Sequence, residues 1–417
     1  LAALARKVAE HAALFTELEI VDNGMPRFIA GLTIGNVVEM LDYYAGAAWR
    51  IEGTTTTPPH HVAAVAEALT YTVREPVGVA GLIVPWNAPS TLLVSKLAPA
   101  LLAGCTVVAK MSPEAPSAGY LMAEIADEVG LPPGVFNMLT ADREVSELLV
   151  RDPRVDKISF TGSTAAGRRI AGICGERIAR CTLELGGKSA AVVLDDADLG
   201  FAATMIAAAE CFLSGQVCAS LTRIVVPRSR HDEFTDALAA TFSAMPVGDP
   251  FDPGTALGPL AMARQVDRVQ GYIAKGIEEG ATLRTGGGRP KHLDRGYYVE
   301  PTVFADVDNK HIIAQEEIFG PVLSVIPADN EEHAIDIAND TIYGLNAAVF
   351  TPDVAHAREV AGRLRSGTVG HNGFKVDYAI GFGGYKQSGI GREGGTEGLL
   401  PYLEHKTVLL DGLPPGY

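Results

Sequence analysis

From residue 77 onward the apolar positions fall into short unbroken runs, each followed by a turn and then by a longer stretch whose apolar residues recur every three or four positions. That alternation predicts strands over 77–84, 106–110, 135–139 and 157–160, with helices from about Pro89, over 117–129 and from Ala165. A second series starts with a strand over 190–194 and continues with helices near 198–213, 231–243 and 262–279. Strands that alternate with helices of this length imply parallel sheets covered by helices, an α/β fold. Ahead of them, residues 1–55 carry helical spacing broken by the turn Gly24-Met25-Pro26. The run Thr54-Thr55-Thr56-Thr57-Pro58-Pro59 then breaks helix and leads into a β-rich stretch, extended over 70–73. Near the other end, 408–410 reads as a short apolar strand before Pro-Pro-Gly, suited to pairing outside its own domain. The chain opens on Leu1 inside an amphipathic helical pattern, so residues upstream of it are expected.

Length adds a domain count. A chain of 417 residues exceeds what one core normally organises and suggests two or three domains. Apolar content of 47% with 20% charged residues is globular and excludes a disordered or coiled-coil chain. The net charge of −16 argues against a nucleic-acid partner or an anionic membrane surface. The one long apolar stretch, 91–109, is interrupted by Lys96, Pro99 and Gly104, and reads as a buried helix running into a strand. Five cysteines without close spacing do not form a disulfide framework, which favours a reducing cytoplasm. The ten histidines form no HExxH or Cys/His pairing, so no metal site is expected.

The candidate chemistry begins with Cys218, in Ser214-Gly215-Gln216-Val217-Cys218-Ala219, and with Glu184, heading Glu184-Leu185-Gly186-Gly187-Lys188. A cysteine among small residues on a Gly-bearing turn can present sulfur to a ligand, and a carboxylate in a second Gly-rich turn can take a proton from water. Taken alone, an isolated cysteine is a small buried hydrophobe about ten times more often than a nucleophile, and that reading suits Cys105, Cys174, Cys181 and Cys211. Three further turns follow strands: Pro85-Trp86-Asn87 after Val84, Lys110 closing its apolar run, and Thr161-Gly162-Ser163-Thr164 after Phe160. In an open parallel sheet such turns converge on one crevice at the carboxyl ends of the strands. A Gly-Ser turn opening a helix offers free N–H groups and a positive dipole end to a phosphate.

In this order the strings resemble the aldehyde dehydrogenase superfamily, together with Glu316-Glu317-Ile318-Phe319-Gly320-Pro321 and Phe382-Gly383-Gly384-Tyr385-Lys386-Gln387-Ser388-Gly389. The blocks span residues 85–389, with weaker similarity at both ends. The resemblance implies a Rossmann-like dinucleotide domain over 1–56 and 78–186, an α/β catalytic domain over 187–392, and a small β oligomerisation element from 57–77 and 400–417. It implies a homodimer or homotetramer acting on a small-molecule aldehyde, and usually some tens of further N-terminal residues. Cys218 then attacks the aldehyde carbon, Asn87 and the Cys218 N–H stabilise the oxyanion, hydride passes to NAD, and Glu184 activates water against the thioester. Cofactor contacts fall to Val84, Pro85, Trp86, Lys110, Gly162, Ser163, Leu185, Glu317 and Phe319, with Glu317 gripping the nicotinamide ribose and Lys110 the adenosine ribose.

Two departures alter the cofactor expectation. Gly-rich sequence common in the family is replaced by Thr140-Ala141-Asp142-Arg143-Glu144, and the acidic residue often found three positions after the lysine is Pro113, with Glu114 one step later. NAD is therefore expected as the main cofactor, with appreciable use of NADP. Ala88 and Ser95 stand where many relatives carry large aromatics, which predicts a wide aldehyde channel. The competing readings are a CoA-acylating aldehyde dehydrogenase, which has little use for Glu184, and a non-catalytic dinucleotide-binding relative, which has no need of Asn87, Glu184 and Cys218 together.

Overall fold

The computed structural model describes residues 1–55, 69–410 and 412. Its first sheet has six strands in the order Gly389–Ile390, Arg180–Glu184, Lys157–Thr161, Val79–Ile83, Thr106–Met111 and Phe136–Thr140. All neighbours are parallel except the two-residue strand Gly389–Ile390, which pairs antiparallel with Glu184 and Leu183. Residues 389–390, placed by the sequence within 187–392, thus complete the first sheet. Helices Pro89–Ala103, Ser117–Glu128 and Thr164–Arg177 connect its strands, as the spacing predicts. The helices Ala2–Glu10, Ala12–Asn23 and Arg27–Gly46 bury Leu4, Phe15 and Ile34 in one core with Leu93, Leu97 and Val107.

A further helix, Arg143–Arg151, begins where the sequence showed only a departure from the family pattern. Asp142 caps it, its carboxylate accepting from the Val145 N–H at 3.2 Å.

The second sheet has seven strands in the order Thr282–Thr285, Thr302–Ala305, Val322–Ala328, Arg223–Pro227, Ala190–Val193, Asn346–Phe350 and Thr368–His371. Only the edge strand Thr282–Thr285 runs antiparallel. Alternation along Ala190–Val193 shows how both faces are covered. Ala190 and Val192 pack under helices Ala263–Glu278, Glu331–Asn339 and Val354–Arg363, whereas Ala191 and Val193 pack under Leu199–Cys211 and His231–Ser243. A strand buried on both faces reads as a continuous apolar run, which is why Ala190–Val193 was legible; the other six strands of this sheet were not read from the sequence.

The third sheet joins Thr54–Thr55, Leu69–Pro76 and Leu403–Leu410, all antiparallel. The extended reading of 70–73 holds, but the C-terminal strand has eight residues, in register from Leu403 opposite Pro76 to Leu410 opposite Leu69. Glu404, His405 and Lys406 hid its first half, because an apolar-run reading stops at charge. Glu404 meets Arg180 at 2.8 Å and Lys406 meets Glu75 at 2.5 Å on the surface. Of the proposed oligomerisation element, residues 57–68, 411 and 413–417 lie outside the described residues. No helix among the described residues is long and apolar enough to cross a membrane.

Candidate active site

A cleft of about 470 Å³ opens where the carboxyl ends of the first sheet face the second unit. Pro85, Trp86 and Asn87 enter it from beyond Val79–Ile83, Gly162 and Ser163 from beyond Lys157–Thr161, and Leu185 from beyond Arg180–Glu184. Cys218, Glu317 and Phe319 face them from the other side. Val84, Lys110 and Glu184 do not line this cleft. Val84 is buried and its N–H donates to the Lys110 carbonyl at 2.9 Å, tying two strand ends together.

Cys218 is presented by a strained turn. Leu213, Ser214 and Gly215 have φ of 51°, 54° and 75°, three left-handed residues in succession, of which only the glycine adopts that conformation freely. The turn is pinned on several sides. Gln216 accepts from the Ala261 N–H at 3.1 Å through its side chain, and its carbonyl accepts from the Asn87 side-chain amide at 2.9 Å. The backbone of Gly187 presses so closely on the Cys218 carbonyl that a Cβ there would overlap its oxygen. Burial first, then the charges of Glu317 and Glu184, push the Cys218 thiol up to about 12. Tyr378 stands near enough for Cys218 to act on its phenol, which burial chiefly raises to about 12.

Glu184 ends its strand one step behind the cleft. Its carbonyl accepts from the Gly162 N–H at 3.0 Å, and its carboxylate is 3% exposed, with neither oxygen bonded to a described residue. Burial, reinforced by Glu393 and opposed by Lys96 and Arg392, holds it well above the usual carboxylate range. Ser388, fully buried, braces the turn beyond: its hydroxyl donates to the Gly186 carbonyl at 2.7 Å and its carbonyl accepts from the Leu185 N–H at 2.9 Å. Ser95, expected to border the aldehyde channel, instead donates to Glu393 at 2.9 Å and is 6% exposed. Its hydroxyl is drawn into a buried polar network rather than toward the substrate. Ala88 does border an apolar cluster with Ile20, Met25 and Leu213, against which Leu92, Phe212 and Val217 also pack.

The remaining groups fit a dinucleotide. Ser163 caps Thr164–Arg177, accepting from the Ala166 N–H at 3.3 Å, so the first turn of that helix faces the cleft with the positive end of its dipole. Glu317, raised to about 7 mainly by burial, accepts from the Gly187 N–H at 3.2 Å. Arg268 donates to the carbonyls of Glu317 and Ile318, and Gln265 to that of Phe319 at 3.0 Å. These bonds hold Phe319 at a left-handed φ of 67°, edge-on to Trp86 with centroids 5.4 Å apart. Lys110 is 8% exposed; burial lowers its pKa, while Glu114 and Asp142 act in the opposite sense. Glu114 is bonded by Ser112 and by Arg264.

Sequence reasoning missed Arg143, Arg264, Gln265 and Arg268 as lining residues. The last three share one face of the predicted helix, but nothing local marks that face as turned to a ligand. It also missed the buried ion pair of Lys96 and Glu393, at 2.6 Å, because its partners are 297 residues apart. His231, Asp232 and Asp306 are the one described cluster with metal-ligand atoms in reach of each other. Both ring nitrogens of that histidine are engaged, Nε2 by the Asp306 N–H at 3.2 Å and Nδ1 by Asp232 at 3.0 Å.

A cleft at the carboxyl ends of a parallel sheet, with groups that fit a dinucleotide, is the arrangement of a dinucleotide-dependent oxidoreductase. The aldehyde dehydrogenase family model matches residues 1–408, and the chain belongs to that family. It is 48% identical to the geranial dehydrogenase of Castellaniella defragrans over 94% of this chain and 81% of that protein. It is 47% identical to a 3-succinoylsemialdehyde-pyridine dehydrogenase of a Pseudomonas species over 82% of this chain and 72% of that one. Among solved structures, a Mycobacterium tuberculosis aldehyde dehydrogenase complexed with NAD+ superposes with a TM-score of 0.94 at 47% identity, covering 100% of this chain and 84% of that chain. The protein is an NAD(P)-dependent enzyme that oxidises an aldehyde.

Proposed function

We propose that Cys218 is the nucleophile, Asn87 the oxyanion donor and Glu184 the hydrolytic base of this aldehyde dehydrogenase. The observation that carries the assignment is the Asn87 amide bonded to the Gln216 carbonyl, which sets a second, uncommitted N–H beside the turn that presents Cys218. The thiol of Cys218 gives its proton to a base and its sulfur bonds the aldehyde carbon, forming a hemithioacetal whose oxyanion meets the Asn87 amide and the Cys218 N–H. Bound NAD would supply the hydride acceptor for that carbon, whose oxidation turns the Cys218 adduct into a thioester. Glu184, already pushed toward protonation, takes a proton from water, whose oxygen displaces the Cys218 sulfur and releases the acid. Glu317 would hold ribose hydroxyls of the bound NAD, and Gly162 and Ser163 would hold its pyrophosphate.

The first sheet with the N-terminal helices forms the cofactor domain, the second sheet the catalytic domain, and the three-stranded sheet serves a homodimer or homotetramer. The outer edge of Leu403–Leu410, unpaired among the described residues, supports that last assignment. The acidic chain and its free cysteines support a cytoplasmic location. The apolar cluster at Ala88, with Leu92, Phe212 and Val217, favours an apolar aldehyde, in keeping with the geranial dehydrogenase relative.

Glu184→Gln tests the mechanism: one equivalent of reduced cofactor should form in a burst, followed by steady turnover at least ~100-fold below wild type. Unchanged steady turnover would remove Glu184 from the role and favour a CoA-acylating enzyme. No burst at all, with cofactor still bound, would place Glu184 in the acylation step instead.

A further inference from the structure

Asn87 lies in a loop with little hydrogen bonding of its own. Among the described residues, neither Trp86 nor Asn87 makes a backbone–backbone hydrogen bond. Their carbonyls are instead gripped from outside, by a side chain 63 and 64 residues earlier in the chain: the Asn23 amide donates to the Trp86 oxygen at 3.0 Å and to the Asn87 oxygen at 3.2 Å. Asn23 is 4% exposed and fully engaged, since its own oxygen accepts from the Met25 N–H at 3.0 Å. It is the last residue of helix Ala12–Asn23, and Glu19 stands one turn earlier on the same face. Glu19 is wholly buried and accepts from the Ser90 N–H at 3.0 Å, which fixes the start of helix Pro89–Ala103. Thr33 holds the other Glu19 oxygen at 3.0 Å.

One helix therefore clamps the chain on both sides of Ala88. Asn23 holds residues 86 and 87, and Glu19 holds residue 90. We infer that Asn23 is a positioning residue for the oxyanion donor: it fixes the Asn87 backbone so that one amide hydrogen reaches the Gln216 carbonyl and the other is aimed at the oxygen that becomes negative when Cys218 attacks the aldehyde. The inference rests on the assignment of Asn87 made above. A neutral side-chain amide is the group such a job needs, because it supplies two donors to two adjacent carbonyls and adds no charge beside a developing oxyanion.

The test is a double-mutant cycle on kcat/KM with an aldehyde and NAD, using Asn23→Ala, Asn87→Ala and the combination. Asn23→Ala is expected to lower kcat by ~10- to 100-fold, as a misplacement of about 1 Å does at a reacting centre. Cofactor affinity and the rate of Cys218 alkylation by iodoacetamide, a reaction that builds no oxyanion, should stay within about twofold of wild type. In the Asn87→Ala background the Asn23 change should then have almost no further effect. Asn23→Ser, which keeps one donor, should fall between wild type and Asn23→Ala. Fully additive losses, an unchanged kcat, or loss of cofactor binding in both Asn23 variants would each overturn the inference, the last by showing a general loss of structure. If Asn87→Ala itself leaves kcat unchanged, the assignment of Asn87 fails; if Asn87→Ala is impaired and the losses add, only the role of Asn23 fails.

Discussion

The ammonium of Lys96 lies 2.6 Å from the carboxylate of Glu393, with the two side chains 0% and 8% exposed. Thr161 takes a second hydrogen of that ammonium at 2.6 Å, and Ser95 donates to the other Glu393 oxygen. The pair stands close enough to Glu184 for both charges to act on it, Glu393 raising its pKa and Lys96 lowering it. Removing one partner leaves an uncompensated buried charge, so Lys96→Met should cost about 3–5 kcal/mol of stability. The kinetic sign is separate: without Lys96 the Glu184 pKa rises further, so hydrolysis should move its acid limb to higher pH, while Glu393→Gln should move it lower. A pH profile of steady turnover in which both variants shift the same way would disprove the electrostatic link.

Burial raises the Cys218 thiol, so the free enzyme should hold it mainly protonated at neutral pH. With its pKa near 12, held there first by burial, the thiolate fraction and hence alkylation by iodoacetamide should rise about tenfold per pH unit between pH 7 and pH 10. Mass spectrometry of the Cys218 peptide reads this directly, and a plateau below pH 8 would contradict it. Cys218→Ala should abolish aldehyde oxidation and leave cofactor binding intact, because the thiol touches the cleft at one wall only. Residual oxidation above a few per cent would remove Cys218 from the chemistry.

Gly187 gives a purely steric prediction. A methyl there overlaps the Cys218 carbonyl, a backbone atom that cannot swing aside. Gly187→Ala should therefore displace the nucleophile's peptide and cost about 1–3 kcal/mol, with kcat falling ~100-fold. A thermal melt and a single-turnover rate check the two parts, and wild-type values in both would show that the turn has room.

Four strands of the first sheet and Ala190–Val193 of the second were legible because burial on two faces writes them as unbroken apolar runs, whereas Arg180–Glu184 and the other strands of the second sheet were not read from the sequence. Cys218, Glu184 and Asn87 were legible as candidates because each sits in a distinctive short string. Helix Arg143–Arg151 was not, since Asp142 and Arg143 stood out only as a loss of glycines; the cap at Val145 explains them after the fact. Ser95 was misplaced for a related reason: position along a helix says which face a residue occupies only when the neighbours are known, and its neighbour is Glu393, 298 residues away. Asn23, Arg264 and Arg268 carry no local signal, because what makes them matter is which distant backbone or carboxylate they meet.

The proposed preference for an apolar aldehyde rests on the cluster at Ala88, next to Asn87. Leu92, Phe212 and Val217 supply surface without a charged group, so a longer or aromatic aldehyde should gain up to about 0.8 kcal/mol in kcat/KM per buried methylene over acetaldehyde. A chain-length series of linear aldehydes measures this, and equal efficiency with acetaldehyde would count against an apolar substrate.

Cofactor binding should titrate through Glu317 and discriminate through Glu114. In the role proposed for it, Glu317 accepts ribose hydroxyls more strongly as a carboxylate than as a neutral acid, and burial raises its pKa to about 7. NAD affinity should therefore weaken as pH falls below 7 and level off above 8, and Glu317→Gln should flatten that dependence. On the adenosine side Glu114 is not free to swing: Ser112 and Arg264 fix its carboxylate, and its charge acts on Lys110. A carboxylate there opposes a 2′-phosphate, while Lys110 and Arg264 favour it, so the balance should leave NAD ahead of NADP by ~10- to 100-fold, or about 1.4–2.7 kcal/mol. Glu114→Gln removes the opposing charge and keeps the lysine, so the NADP/NAD ratio of kcat/KM should rise about tenfold. A ratio that does not move would mean that Glu114 never faces the 2′-position, and a wild-type preference for NADP would reverse the order assigned here.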